Sequence, residues 1–160
     1  MTPAHVDELT SGEPRALALE NARRKALAVG GELVLGADTD VALDGEVLGK
    51  PRDAWHAREL VARLAGRRHE VVGGIAIAEH GAITAQAVVV TAVDFRALDP
   101  ATLDWYVATG EWTGRAGGYA IQGKGAALVA GIEGDYLNVV GLPLARLLEL
   151  RPTLLPSARP

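Results

Sequence analysis

Three polar clusters carry residue types able to do phosphate chemistry. The first is Gly36-Ala37-Asp38-Thr39-Asp40, directly after the apolar run Glu32 to Leu35. A carboxylate at the carboxyl end of a buried strand is where open α/β sheets commonly place their sites. The competing reading is a turn, because Asp and Thr often bond their own backbone there. The second cluster is Gly49-Lys50-Pro51, twelve residues on from Asp38, where a Lys could fold back over that carboxylate. Its alternative is an ordinary solvated loop lysine. The third is Arg115-Ala116-Gly117-Gly118-Tyr119-Ala120-Ile121-Gln122-Gly123-Lys124-Gly125, whose glycines allow backbone N–H groups to approach an anion closely. It is not a P-loop, since Gly125 follows Lys124 where Ser or Thr is required, and it is not a dinucleotide fingerprint. A strained β-bulge is the alternative.

Other chemistries are excluded by what the chain lacks. There is no Cys, so thiolate catalysis, disulfides and Cys-type zinc sites drop out. His5, His56, His69 and His80 show no metal spacing. Ser11 and Ser157 both lie near the termini, which leaves no serine-hydrolase motif. Carboxylates, lysines and a Gly-rich loop suit a hard, oxygen-bound divalent metal acting on a phosphorylated substrate. The 160 residues fit one domain, with a frayed tail over 151–160, and the net charge of −4 argues against a nucleic-acid binder. No apolar run reaches the ~18 residues of a membrane span. The N-terminus does not read as a signal peptide, so a cytoplasmic location is expected. Of the sixteen Lys and Arg residues only Lys25, Lys50 and Lys124 are lysine. Either they survived compositional drift by chance, or they sit where phosphate needs a compact point charge.

The elements that must position these groups are legible in outline. Glu13-Pro14 opens a helix to about Val29, with Leu19, Ala22, Ala26 and Val29 as its stripe. Glu32 to Ala37 and Asp40 to Leu43 read as strands. The Asp44-Gly45 turn leads the second into Glu46 to Leu48. Asp53 caps a helix to about Ala65. His69 to Ala78 and Ile83 to Phe95 read as strands, the second buried on both faces, and Asp99-Pro100 starts a helix. Gly110 to Gly125 reads as a loop around one strand, Ala126 to Ile132 and Asn138 to Val140 as further strands, and Pro143 opens a last helix with Leu144, Leu147 and Leu148 inward. The expected class is α/β, with a mixed sheet flanked by helices.

Five ordered blocks then match a known pattern. They are Gly36-Ala37-Asp38-Thr39, Asp44 through Pro51, Tyr119 through Gly125, Ile132-Glu133-Gly134-Asp135-Tyr136, and Asn138 through Leu144. From about His5 to Leu148 the chain resembles the Maf family of nucleoside triphosphate pyrophosphatases. The Tyr-x-Ile-Gln-Gly form of the third block resembles its dTTP/UTP branch. The resemblance implies an inosine-triphosphatase-like fold with a cleft between two lobes. It also implies hydrolysis of a pyrimidine nucleoside triphosphate to the monophosphate and pyrophosphate, with Mg or Mn as the divalent metal. By the same resemblance Asp38 is the general base and a metal ligand, and Glu8 a second metal ligand. Thr39 and Gln122 match positions tied to substrate choice, and Lys25 and Lys50 match positions around the triphosphate. Lys124, inside the Gln-Gly-Lys-Gly block, is the remaining substrate-binding candidate.

The sequence also departs from the pattern. Family members open with a strand and a Ser-x-Ser-Pro-Arg-Arg motif, which these residues lack. Arg23-Arg24 and Arg67-Arg68 stand in other contexts. Asp40 occupies a usually apolar position, and Gly73 one where Thr is common. Two absent phosphate arginines would cost about 3–6 kcal/mol at ~1.5–3 kcal/mol per charge-assisted bond. Weak activity is therefore expected, from a late start codon or from real loss of catalysis. Two readings compete with the enzyme. One is a non-catalytic nucleotide-binding protein. The other is an interaction domain whose sheet edge pairs with a partner or with a second copy as a homodimer.

Overall fold

The computed structural model describes residues 6–155. Helix α1 (Pro14–Ala28) leads into strand β1 (Leu33–Leu43) and the short β2 (Glu46–Leu48). Helix α2 (Ala54–Leu64), strands β3 (Arg68–Glu79) and β4 (Ala82–Phe95), and helix α3 (Pro100–Ala108) follow. Strand β5 (Val129–Glu133), α4 (Tyr136–Val140) and α5 (Leu144–Leu150) come next, and a 3-10 turn (Pro152–Leu154) closes the described chain. The sheet has the order β2-β1-β3-β4-β5, and each of these pairings is antiparallel. The α/β class, with helices flanking one sheet, is as the sequence indicates.

The helix starts are made by the expected residues. Glu13 accepts hydrogen bonds from the N–H groups of Arg15 and Ala16, and Pro14 occupies the first helical turn. Asp53 caps α2 through the His56 N–H at 2.7 Å, and Asp99 caps α3 through the Thr102 N–H at 2.8 Å. At Asp44-Gly45 both residues adopt positive φ, the geometry of a tight hairpin turn between β1 and β2.

Several expectations are corrected. The run Asp38-Thr39-Asp40 neither ends a strand nor makes a turn. It lies in the middle of β1, where Leu33 through Ala42 pair residue by residue with β3. Ladder pairing overrides the local turn preference of Asp and Thr. Asn138-Val139-Val140 belongs to α4, not to a strand, because Asp135 caps that turn through the Leu137 N–H at 2.8 Å. Gly110 to Gly125 contains turns but no strand, and β5 begins at Val129 after the 3-10 turn Lys124–Leu128. The buried face of α1 is Leu17, Ala18, Asn21, Ala22 and Ala26, while Val29 lies beyond the helix and is exposed. Strand β3, at the sheet centre, is the one buried continuously from Val71 to Ala78; β4 is mostly half-buried. In α5 only Leu147 of the expected stripe is buried, and Leu144 is exposed.

Two packing features set the site. Helix α1 approaches the sheet most closely at its small residues Ala18, Ala22 and Ala26. A Cβ built on Gly36 would stand 2.0 Å from the Ala22 carbonyl oxygen, and one on Gly74 2.2 Å from that of Ala18. Only glycine admits a backbone this close. On the other face, the buried Asn138 pins α4 to the sheet, its Nδ2 lying 3.1 Å from the Val71 carbonyl and 3.2 Å from that of Val89. The larger core, including Leu43, Leu60, Leu64, Phe95, Tyr106 and Tyr119, fills the space between the sheet and α2 and α3.

Candidate functional site

Asn21 and Lys25 stand four residues apart on α1 and so share one helix face. Because the helix sits low, both reach Asp38 on β1. Lys25 Nζ donates to Asp38 Oδ1 at 2.5 Å, and Asn21 Nδ2 donates to Asp38 Oδ2 at 3.1 Å. The Asp38 side chain is 9% exposed. Lys25 also holds Glu8 Oε1 at 2.8 Å, and Lys50 Nζ lies 3.3 Å from Glu8 Oε2. The result is an unbroken chain of alternating charge, Lys50–Glu8–Lys25–Asp38, built from the segment before α1, from α1, from β1 and from the loop after β2.

Asn21 sets the position of Glu8. Its Oδ1 accepts the Leu9 N–H at 2.8 Å and its Nδ2 also approaches the Leu9 carbonyl at 3.0 Å. One buried amide thus fixes the backbone beside Glu8 and the carboxylate of Asp38. Sequence reading overlooked Asn21. Its signal was present as one of only two asparagines, one helical turn before a rare lysine.

The electrostatics follow from the pairing. The hydrogen bond from Lys25 holds the Glu8 carboxyl below its ordinary pKa, against the opposing effect of burial. For Lys25, burial penalises the ammonium, but the hydrogen bonds to Asp38 and Glu8 outweigh it and the pKa is raised. Asp40 behaves oppositely. Burial, with the negative charges of Asp38 and Glu8, pushes its carboxyl up to about 6, and its buried Oδ2 has no hydrogen-bond partner.

All of these groups line one cavity of about 640 Å³, within the range of small-molecule sites. It opens between the α1 side of the sheet and the part built by β2, α2 and the turns of 114–122, the cleft that the resemblance implies. Glu8, Lys25, Asp38, Thr39, Lys50 and Gln122 are brought together there. Thr39 faces α4, with its hydroxyl 3.4 Å from the Gly141 carbonyl. Lys124 does not line the cavity. Its backbone N–H is bound to Glu111 at 2.8 Å, in a turn that Glu111 closes by also accepting the Gly125 N–H. The glycines of that block therefore serve the turn and not an anion cradle.

The fold is thus a helix-flanked sheet carrying a cavity lined by paired carboxylates and lysines. The chain matches the model of the Maf-like proteins over residues 1–152 and belongs to that family. It is 56% identical over 154 residues to a protein named dTTP/UTP pyrophosphatase from Anaeromyxobacter sp. (strain Fw109-5), covering 92% of this chain and 75% of that one. Proteins of the same name from Pyrococcus abyssi (strain GE5 / Orsay) and Myxococcus xanthus (strain DK1622) are 42% and 48% identical. These matches cover 92% and 91% of this chain, and 81% and 74% of the relatives.

Proposed function

We propose that the chain hydrolyses dTTP and UTP to the nucleoside monophosphate and pyrophosphate. The observation that carries this reading is the Lys50–Glu8–Lys25–Asp38 chain lining a nucleotide-sized cavity, in a protein 42–56% identical to the relatives named for that reaction. Hydrolysis breaks the α–β anhydride. Water supplies the oxygen that forms the new bond to phosphorus, pyrophosphate leaves, and a proton of the water must be taken up. Asp38 is the group assigned to that proton, on a strand paired along its length with β3, so its position is fixed. Phosphate oxygens compete with Asp38 and Glu8 for the Lys25 ammonium, and binding of the triphosphate thereby frees a carboxylate oxygen. Lys50, the more exposed of the two lysines, serves as a point charge for the phosphates.

A divalent cation fits the donor set. Glu8 and Asp38 supply hard carboxylate oxygens, bridged by the Lys25 ammonium that substrate phosphates would draw off, while no group of three acidic or His side chains able to hold a metal exists among the described residues. That suits Mg or Mn held by one or two carboxylates and completed by substrate phosphates, not a protein-only cage. Glu8 and Asp38 would hold the ion, and when bound it supplies charge neutralisation of the phosphates. No helix among the described residues is long and apolar enough to cross a membrane, and a cytoplasmic place beside the nucleotide pool accords with the reading.

The test is pyrophosphate release from dTTP and UTP by Asp38→Asn and Asp40→Asn variants. Asp38→Asn keeps size and removes the proton acceptor and metal ligand, so turnover falls at least about 10²-fold. Asp40→Asn costs far less, because Asp40 makes no bond to either lysine. A near-parent rate for Asp38→Asn refutes the assignment. Nucleotide binding without turnover by the parent protein would instead favour a non-catalytic nucleotide-binding role.

A further inference from the structure

Twelve of the thirteen arginines fall within the described residues. Ten of the twelve engage their guanidinium within the molecule. Nine pair with Asp or Glu side chains, and Arg96 donates to the Ala127 carbonyl at 2.7 Å. The two whose side chains bond to nothing among the described residues are Arg52 and Arg115. They are also the two arginines that line the cavity.

Their backbones are held even though their side chains are not. The Arg52 N–H donates to His56 Nδ1 at 3.2 Å, beside the α2 cap. The Arg115 N–H donates to the Trp112 carbonyl at 3.1 Å. A 3.1 Å bond from the Gly117 N–H to the Gly49 carbonyl ties the loop after β2 to the turn carrying Arg115. Two guanidinium groups are thus presented to the cavity from two joined loops. Of the acidic side chains of the same cavity, Glu8 and Asp38 are taken by the lysines, and Asp40 makes no bond to either arginine. A guanidinium offers a planar fork of N–H donors that matches two oxygens of one phosphate, which an ammonium cannot do.

We infer that Arg52 and Arg115 receive the β- and γ-phosphates of the substrate, the part that leaves as pyrophosphate, while Asp38 and Lys25 attend to the reacting linkage. This assignment rests on the hydrolytic reading above and names which residues hold its leaving group.

The experiment is calorimetric titration of inorganic pyrophosphate, and separately of UMP, into the protein and its Arg52→Gln, Arg115→Gln and double variants in EDTA. Arg58→Gln, which removes an arginine paired with Asp104 away from the cavity, is the control. Arg52 and Arg115 are exposed and bond nothing in the fold, so the variants should melt as the parent does. Each single change is expected to weaken pyrophosphate about tenfold and the double change about 10²-fold or more, with UMP and the control unchanged. In turnover, KM for UTP rises more than kcat falls. Pyrophosphate affinity of the double variant within about twofold of the parent overturns the inference. So does equal loss of UMP, or a parent that binds no pyrophosphate. A parent that binds pyrophosphate yet releases none from dTTP or UTP refutes the hydrolytic reading, and the binding comparison still decides the arginines.

Discussion

Acid should weaken this protein through His69, against the opposite pull of Asp40, whose carboxyl, pushed up to about 6, takes up a proton more readily in the folded state than in the unfolded one. His69 lies in β3, 2% exposed, with Nε2 2.8 Å from the Tyr119 hydroxyl. Its ring stands edge-on to Phe95 and Tyr119, and its buried Nδ1 has no partner. Burial lowers its pKa from 6.5 to about 4, with the charge of Asp94 pulling weakly the other way. The folded state therefore prefers the neutral ring. Above pH 6.5 neither state is protonated and no stability is lost. Between about 6.5 and 4 the unfolded chain takes up a proton that the folded chain refuses, so stability falls as pH falls. Below about 4 both states are protonated and this contribution stops changing. At about 1.4 kcal/mol per pH unit the loss totals roughly 3 kcal/mol, a large share of the 5–15 kcal/mol typical of a domain. Urea denaturation at several pH values between 7.5 and 4.5 measures it. The comparison is a His69→Phe, Tyr119→Phe double variant, which removes the titrating ring and also its partner hydroxyl, so that no buried polar group is orphaned. The parent should lose about 2–3 kcal/mol more than the variant over that range. Equal losses would refute the argument.

Two further outcomes are expected. Gly36→Ala drives a methyl into the Ala22 carbonyl, and overpacking of this kind costs about 1–3 kcal/mol, read as a lower urea midpoint. Activity should fall with it, because lifting α1 withdraws Lys25 from Asp38. Lys50→Arg should impair turnover nearly as much as Lys50→Ala, whereas Lys124→Ala should be mild because Lys124 lies outside the cavity. Steady-state kinetics on dTTP distinguish the two lysines, and equal mild effects at both would remove Lys50 from the site.

The sequence exposed the groups better than their setting. Caps at Asp53 and Asp99 and the Asp44-Gly45 hairpin rest on local chemistry, so spacing alone reveals them. Convergence of Glu8, Lys25, Asp38 and Lys50 is long-range, and became legible only through ordered motifs. The course of β1 was not legible, since Asp38-Thr39-Asp40 has the composition of a turn. It stays extended because β3 supplies a partner for every residue from Leu33 to Ala42. Val139 and Val140 favour a strand, but the Asp135 cap and the buried amide of Asn138 make the segment helical. Lys124 misled because a glycine-rich block with one lysine resembles an anion loop. Here the glycines admit the Glu111 carboxylate, which takes the backbone donors itself. Arg52 and Arg115 could not be singled out among thirteen arginines until the partners of the others were visible.

The charge chain joins residues 8, 25, 38 and 50, with the amide of Asn21 bonded at once to Leu9 and Asp38. None of these contacts is local in sequence, and none can form within a single helix or hairpin. Loop-closure entropy must be met first, by docking α1 across β1 and β3 and by closing the β1–β2 turn. The segment carrying Glu8 has no sheet or helix partner of its own and is held by side chains alone, those of Asn21, Arg24 and Lys25 on α1 and of Lys50 in the loop after β2. It is therefore the last piece to seat on refolding and the first to leave. Catalytic competence arrives later than secondary structure, as a property of the assembled tertiary fold.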